Sequence, residues 1–172
     1  MFTLEIFEIF ARYNRWMNEN LYTICAGMSD EERKRDLAAP FHSIHGTLNH
    51  LLLVDRLWLG RFQKNEFHIT TLADELYSDF DELRRERSKT DDAIDAWLAT
   101  LSESQLANSF TFHSRSRDQD NTFLLSSMML HFFNHQTHHR GQITAMIETL
   151  GYDCGVTDLM WLPGLERETS WE

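Results

Sequence analysis

Nine histidines stand in this chain of 172 residues, and four of them crowd into one stretch, HFFNHQTHHRGQI, as His131, His135, His138 and His139. Neutral imidazole is a ligand for divalent metals, and spacing decides whether two rings can share an ion. An ideal helix turns by about 100° per residue. On it, Leu125, Met128, Phe132, Ile143, Met146 and Leu150 define one apolar face. His139 falls near the middle of that face and His135 one turn before it, while His131 and His138 fall toward its polar margin. Two inward imidazoles fill an apolar core poorly, since each unsatisfied buried polar group costs about 1–3 kcal/mol. The same pair at i and i+4 reaches a shared point, which is what a metal ion needs. The alternative is two core histidines satisfied by hydrogen bonds.

A stable site needs a third ligand from elsewhere. His42, His45, His50, His68, His113 and the carboxylates are all open to that role. His50 lies in SIHGTLNHLLLVDRLWL, off the polar strip of His45, Asn49, Arg56 and Gly60, and is flanked by Leu53, Val54 and Leu57. Asp55 lies on the apolar arc of the same segment, where a carboxylate needs a partner. It orients a ligating histidine, binds metal itself, or pairs with a base such as Arg12 or Arg140.

Four long helices are predicted to position these residues. The first spans about 3–27, with Phe7, Phe10, Asn14, Met17, Leu21 and Ile24 on one stripe and Gly27 as its stop. A polar connection follows over 29–41, with one helical turn at Asp30–Glu32. The second helix spans 43–62 with Ser43 as N-cap. The third spans 71–101, its charged middle (84–92) read as a solvated face. A loop over 102–121 contains SFTF as a short extended strand, and the fourth helix spans 122–150. Leu159, Met160, Trp161 and Leu162 of the irregular tail fold back onto the helices. Only 2 Pro and 7 Gly interrupt the chain, which favours long helices. The expectation is a single all-α domain over 1–172, a four-helix bundle.

The formal net charge is −11, from 27 acidic and 16 basic residues. That field repels phosphate backbones and anionic lipids, so nucleic acid and membrane partners are not expected. No apolar run approaches the roughly 18 residues of a membrane span. The N-terminal MFTLEIFEIF has no basic region ahead of it and is broken by Glu5 and Glu8, so it does not read as a signal peptide. Cys25 and Cys154 show no CxxC spacing and read as two free thiols of a cytoplasmic protein.

YNRWMN in the first helix, HGTLNHLLLVDRLWL in the second, NHQTHHRGQI in the fourth and the terminal LGYDCGVTDL stand in an order that resembles the DinB/YfiT-like metalloproteins. The resemblance covers nearly the whole chain. It concerns the metalloprotein family, not the DNA polymerase of similar name. It implies an up-down-down-up four-helix bundle holding one divalent ion, usually nickel or zinc, through His50, His135 and His139, with positions left for water or substrate. Relatives of this type include thiol S-transferases that use bacillithiol or mycothiol, and a thiol-dependent maleylpyruvate isomerase. Asn14 and Trp16 occupy positions typical of the family, with Asn14, on the inward stripe of its helix, read either as contacting a metal-bound water or substrate or as a core-edge polar residue satisfied by backbone. Arg140 and Gln142 sit beside the ligands but on other faces and cap or pair, and Gly141 allows close helix contact.

The function these readings imply is a metal-dependent thiol S-transferase, with a low-molecular-weight thiol as cofactor and a small electrophile as substrate. The alternatives are a metal-dependent hydrolase and a non-catalytic metal- or ligand-binding stress protein. Trp58, Trp161 and Trp171 are read as apolar surface available to a homodimer.

Overall fold

The computed structural model describes residues 3–65, 67–114 and 118–166. The chain is mostly helical. Its elements are α1 (Leu4–Ala26), α2 (Asp30–Lys34), α3 (Ile44–Gln63), α4 (Phe80–Leu98) and α5 (Leu125–Thr149), with strands β1 (Ser109–Ser114) and β2 (Gln119–Leu124) between α4 and α5. The all-α expectation is therefore amended by one antiparallel hairpin, whose register runs from Ser109 opposite Leu124 to Ser114 opposite Gln119. The expected strand was its first half. Its second half displaces the start of α5 from the expected Thr122 to Leu125.

Ser43 caps α3 as expected, accepting a hydrogen bond from the Gly46 amide at 3.0 Å. The helical turn after Ser29 closes with a full capping box, Ser29 and Glu32 each bonding the other's backbone. The third long helix starts later than its apolar spacing predicts. Asp79, not Thr71, is the N-cap of α4, and it accepts from the Glu82 amide at 2.7 Å. Residues 71–79 are kept out of the helix by α3, whose Asn49 side chain accepts from the Leu76 and Tyr77 amides at 2.9 Å each.

Helix α1 packs against α4 and α5, and α3 packs against the same two. The buried apolar residues form two clusters, one around Met17, Leu21, Leu48, Leu52, Leu83 and Ile147, the other around Phe7, Leu53, Ile94, Trp97, Met129 and Phe132. Burial of each such side chain contributes about 1.5–3 kcal/mol. Trp58 belongs to the second cluster at 6 % exposure, so it is not the free apolar surface its sequence context implied. Trp161 is exposed, and Trp171 lies outside the described residues.

A buried polar ring joins the four long helices. Arg140 on α5 donates to Asn14 Oδ1 on α1, and Asn14 Nδ2 donates to Asp91 Oδ1 on α4 at 3.2 Å. Arg87, one turn before Asp91, forms ion pairs with Asp91 Oδ1 at 2.8 Å and with Asp55 Oδ2 on α3. Gln136 on α5 donates to Asp55 Oδ1 at 2.7 Å and accepts from Arg140 at 3.4 Å, which closes the circuit. All six side chains are buried, and the two charges of each sign balance.

The ring settles the base that pairs with Asp55 and corrects the reading of the run 84–92. The partner of Asp55 is Arg87. Arg12 instead donates to the Pro163 carbonyl at 2.7 Å, and Arg140 makes no direct bond to Asp55, Gln136 lying between them. The charged run 84–92 is not wholly solvated, since Arg87, Thr90 and Asp91 are inside. Two carboxylates share the Arg87 guanidinium, and complete burial with Asp91 nearby pushes Asp55 up to about 6 against the pull of Arg87.

Candidate metal centre

His135 and His139 lie one turn apart on α5, and their Nε2 atoms are 3.1 Å apart. His50 on α3 faces them, its ring centroid 4.5 Å from that of His139 and 5.4 Å from that of His135. One ligand atom from each of the three lies within 4.8 Å of the other two, so the cluster could hold a metal ion. With metal–nitrogen bonds of about 2.1 Å, a 3.1 Å nitrogen separation subtends about 95°, an angle suited to neighbouring ligands of one ion.

Hydrogen bonds aim the lone pairs. His50 Nδ1 donates to the Leu72 carbonyl at 2.8 Å, and His139 Nδ1 donates to Gln142 Oε1 at 2.8 Å. Each bond places the ring proton on Nδ1 and leaves Nε2 as an acceptor. His50 Nε2 is buried and has no hydrogen-bond partner among the described residues, so it presents an unmatched lone pair to the cluster. His135 Nδ1 is likewise buried and unmatched. Burial pushes the rings toward the neutral form that ligates: His50 falls to about 4 and His135 to about 3, and His139 is also lowered. The neighbouring imidazoles add to the shift at His50 and His135.

Two further features position His50. Asn49 and His45 both bind the Tyr77 carbonyl, at 3.0 and 2.9 Å, and so tie down the loop that carries Leu72. Phe41 stacks on the His50 ring, centroids 3.8 Å apart, and meets His139 edge-on at 5.5 Å. The segment bearing Phe41 crosses the start of α3 so closely that a Cβ on Gly46 would lie 2.2 Å from the Phe41 carbonyl oxygen. Only glycine fits there.

Of the third-ligand choices open to the sequence, the fold brings in His50 alone. His42 is exposed beside Asp36, His45 is bonded to Tyr77, His113 sits on the hairpin beside Asp120, and neither His68 nor any described carboxylate joins the group. His131 and His138 are exposed, as their place on the helix predicts. Asn14 and Asp55 are turned into the buried ring, where Asp91, Arg140, Arg87 and Gln136 engage them. Gly141 makes no close helix contact, since a Cβ there would meet nothing within 4 Å. Cys25 and Cys154 are free, and burial pushes the Cys25 thiol up to about 12.

Sequence reasoning missed Leu72, Phe41 and the role of Gln142. Phe41 comes from a loop and leaves no periodic signal, and Leu72 acts through its backbone carbonyl, which side-chain spacing does not report. Gln142 stands three residues after His139, within reach on the same helix face, and that spacing is a usable signal.

Fold and site together define a helical protein with a three-imidazole centre of metal-binding type. The DinB family model matches residues 1–170, and the chain belongs to the DinB family. It is 26% identical over 171 residues to Protein DinB of Bacillus subtilis (strain 168), covering 91% of each chain. A DinB-like protein from Bacillus cereus ATCC 10987, known from a crystal structure, has a similar fold with a TM-score of 0.61 at 18% identity, over 88% of this chain and 92% of that one.

Proposed function

We propose that this protein is a metal-dependent enzyme that transfers a low-molecular-weight thiol to a small electrophile, with one nickel or zinc ion held by His50, His135 and His139. The observation that carries the reading is the convergence of the three imidazoles within 4.8 Å, with two Nδ1 hydrogens turned outward to Leu72 and Gln142. Three neutral protein ligands leave the full charge of a divalent ion and at least one coordination position, the arrangement of catalytic rather than structural centres. Bound there, the ion would stabilise a thiolate, the nucleophilic form of a thiol, at neutral pH. The chain's own residues orient the ligands (Leu72, Gln142), wall off one side of His50 (Phe41), and keep the imidazoles neutral by burial. Cys25 is no substitute nucleophile, because its thiol is buried and held protonated. The reading includes a single up-down-down-up four-helix-bundle domain, a homodimer and a cytoplasmic location. No helix among the described residues is long and apolar enough to cross a membrane.

The test is metal analysis of purified protein, then assays of electrophile panels and of ester and amide panels, each with and without added small thiols. About one divalent ion per chain is expected. His50→Ala, His135→Ala and His139→Ala should each release most of it, while His138→Ala should not. Turnover should need both metal and thiol and should survive Cys25→Ser and Cys154→Ser. Thiol-independent turnover would replace the transferase with a hydrolase. An occupied centre without turnover would leave a metal-binding stress protein.

A further inference from the structure

We infer that a second site, separate from the imidazole cluster, binds a small organic carboxylate through Arg140. The Arg140 side chain is buried at 3 % exposure, yet its partners are all neutral. It donates to Asn14 Oδ1, Gln136 Oε1 and Thr137 Oγ1, and its guanidinium lies 5.2 Å from the centre of the Tyr13 ring. Its Nε is buried with no acceptor. A buried guanidinium ordinarily meets a carboxylate directly, which matches its planar fork of donors. Here Asp55 and Asp91 are each held one amide away, and Arg87 binds both.

Beside Arg140 a cavity of 280 Å³ opens between α1, α5 and residues 157–159. Gly141 borders it, and a Cβ at that position would meet nothing within 4 Å. Three hydroxyls on its walls already donate to backbone carbonyls: Tyr13 to that of Thr157, Thr137 to that of Phe133 and Thr144 to that of Gly141. Arg140 Nε is thus an unmatched cationic donor beside the cavity, which selects an acceptor as ligand and an anion above a neutral one.

The volume lies just under the roughly 300–1,000 Å³ of drug-sized sites, so the occupant is small. Met17 and Leu159 also line the cavity and suit a hydrocarbon portion. A dianionic phosphate fits less well, because one guanidinium faces it and Asp158 lines the same cavity with opposing charge. A singly charged carboxylate with an apolar body matches Arg140, Met17 and Leu159 and meets less repulsion from Asp158 than a dianion does.

The experiment is an amide NMR titration of the metal-loaded protein with benzoate and, separately, with inorganic phosphate. Benzoate should give saturable shifts at Gly141, Thr144 and Leu159 with millimolar affinity. Those shifts should persist in His50→Ala, which separates this site from a carboxylate bound at the metal. Loss of Arg140 opens the buried ring, so the decisive variant is Gly141→Leu, which fills the cavity from an exposed helical position and should abolish the shifts with the fold intact. Asp158→Asn should tighten benzoate binding several-fold. Absence of the shifts, their retention in Gly141→Leu, weaker binding in Asp158→Asn, or binding of phosphate but not benzoate would each overturn the assignment.

Discussion

At the scale of single residues, the cluster makes the metal-free protein sensitive to acid. His50 and His135 titrate near 6.5 when unfolded and at about 4 and about 3 when folded. Their folded pKa values are depressed, so the folded state is favoured fully above 6.5 and loses ground as pH falls from there toward 4 and 3. Asp55 runs the other way. Raised from 3.8 to about 6, it opposes folding increasingly as pH climbs through that interval. Two histidines against one carboxylate leave a net loss of stability on acidification between pH 6.5 and 4. Urea denaturation of metal-free protein at pH 7 and pH 5 should give the lower stability at pH 5, and the difference should shrink in a His50→Gln, His135→Gln double variant. Equal stability at both pH values would refute it. Metal occupancy should decline through the same range, since protons compete for the ligating nitrogens.

At the scale of elements, the inward pair on α5 was legible because a helix carries a phase, and His135 and His139 are in step with Phe132, Ile143 and Met146. The same rule was available for α4 and was masked by composition. Phe80, Leu83, Arg87, Thr90, Asp91, Ile94 and Trp97 keep one stripe through the charged run, and all are buried. Holding the phase through the charges would have placed Arg87 and Asp91 inside. The start of α4 was not legible, because what unwinds 71–79 is a set of side chains from α3, remote in sequence. The late start has a purpose, since it leaves the Leu72 carbonyl free for His50.

Arg87 also gives a prediction at this scale. Replacing it with Met strands two buried carboxylates, a change that costs about 3–5 kcal/mol. Arg15 pairs with Asp92 and Asp95 nearer the surface of the same helix, and Arg15→Met should cost about 0–1 kcal/mol. Denaturation curves of the two variants make the comparison, and similar losses would contradict the account of the ring.

At the scale of the whole molecule, charge and assembly give two expectations. With a net charge of −11, duplex DNA should show no measurable binding at physiological salt, checked by fluorescence anisotropy. Tight, salt-sensitive binding would revive a nucleic-acid role. The proposed homodimer should scatter light at twice the chain mass. With Trp58 inside the core, exposed Val156, Met160 and Trp161 near the C-terminus are the apolar surface a partner copy could cover. A monomer mass at high concentration would remove the dimer.

The ring of Asn14, Asp55, Arg87, Asp91, Gln136 and Arg140 has a consequence for how the molecule opens. Each of the four long helices contributes a member, so withdrawing any one of them leaves charges inside with their circuit cut. Partly opened forms are thereby penalised, and the four helices are coupled into one cooperative unit. Native-state hydrogen exchange in rising urea should then bring the amides of the middle turns of α1, α3, α4 and α5 to a single opening free energy equal to that of global unfolding. In Arg87→Met, where the circuit is already broken, the four sets of amides should separate. Staggered opening energies in the unaltered protein would mean that the ring holds the helices in place without making them act together.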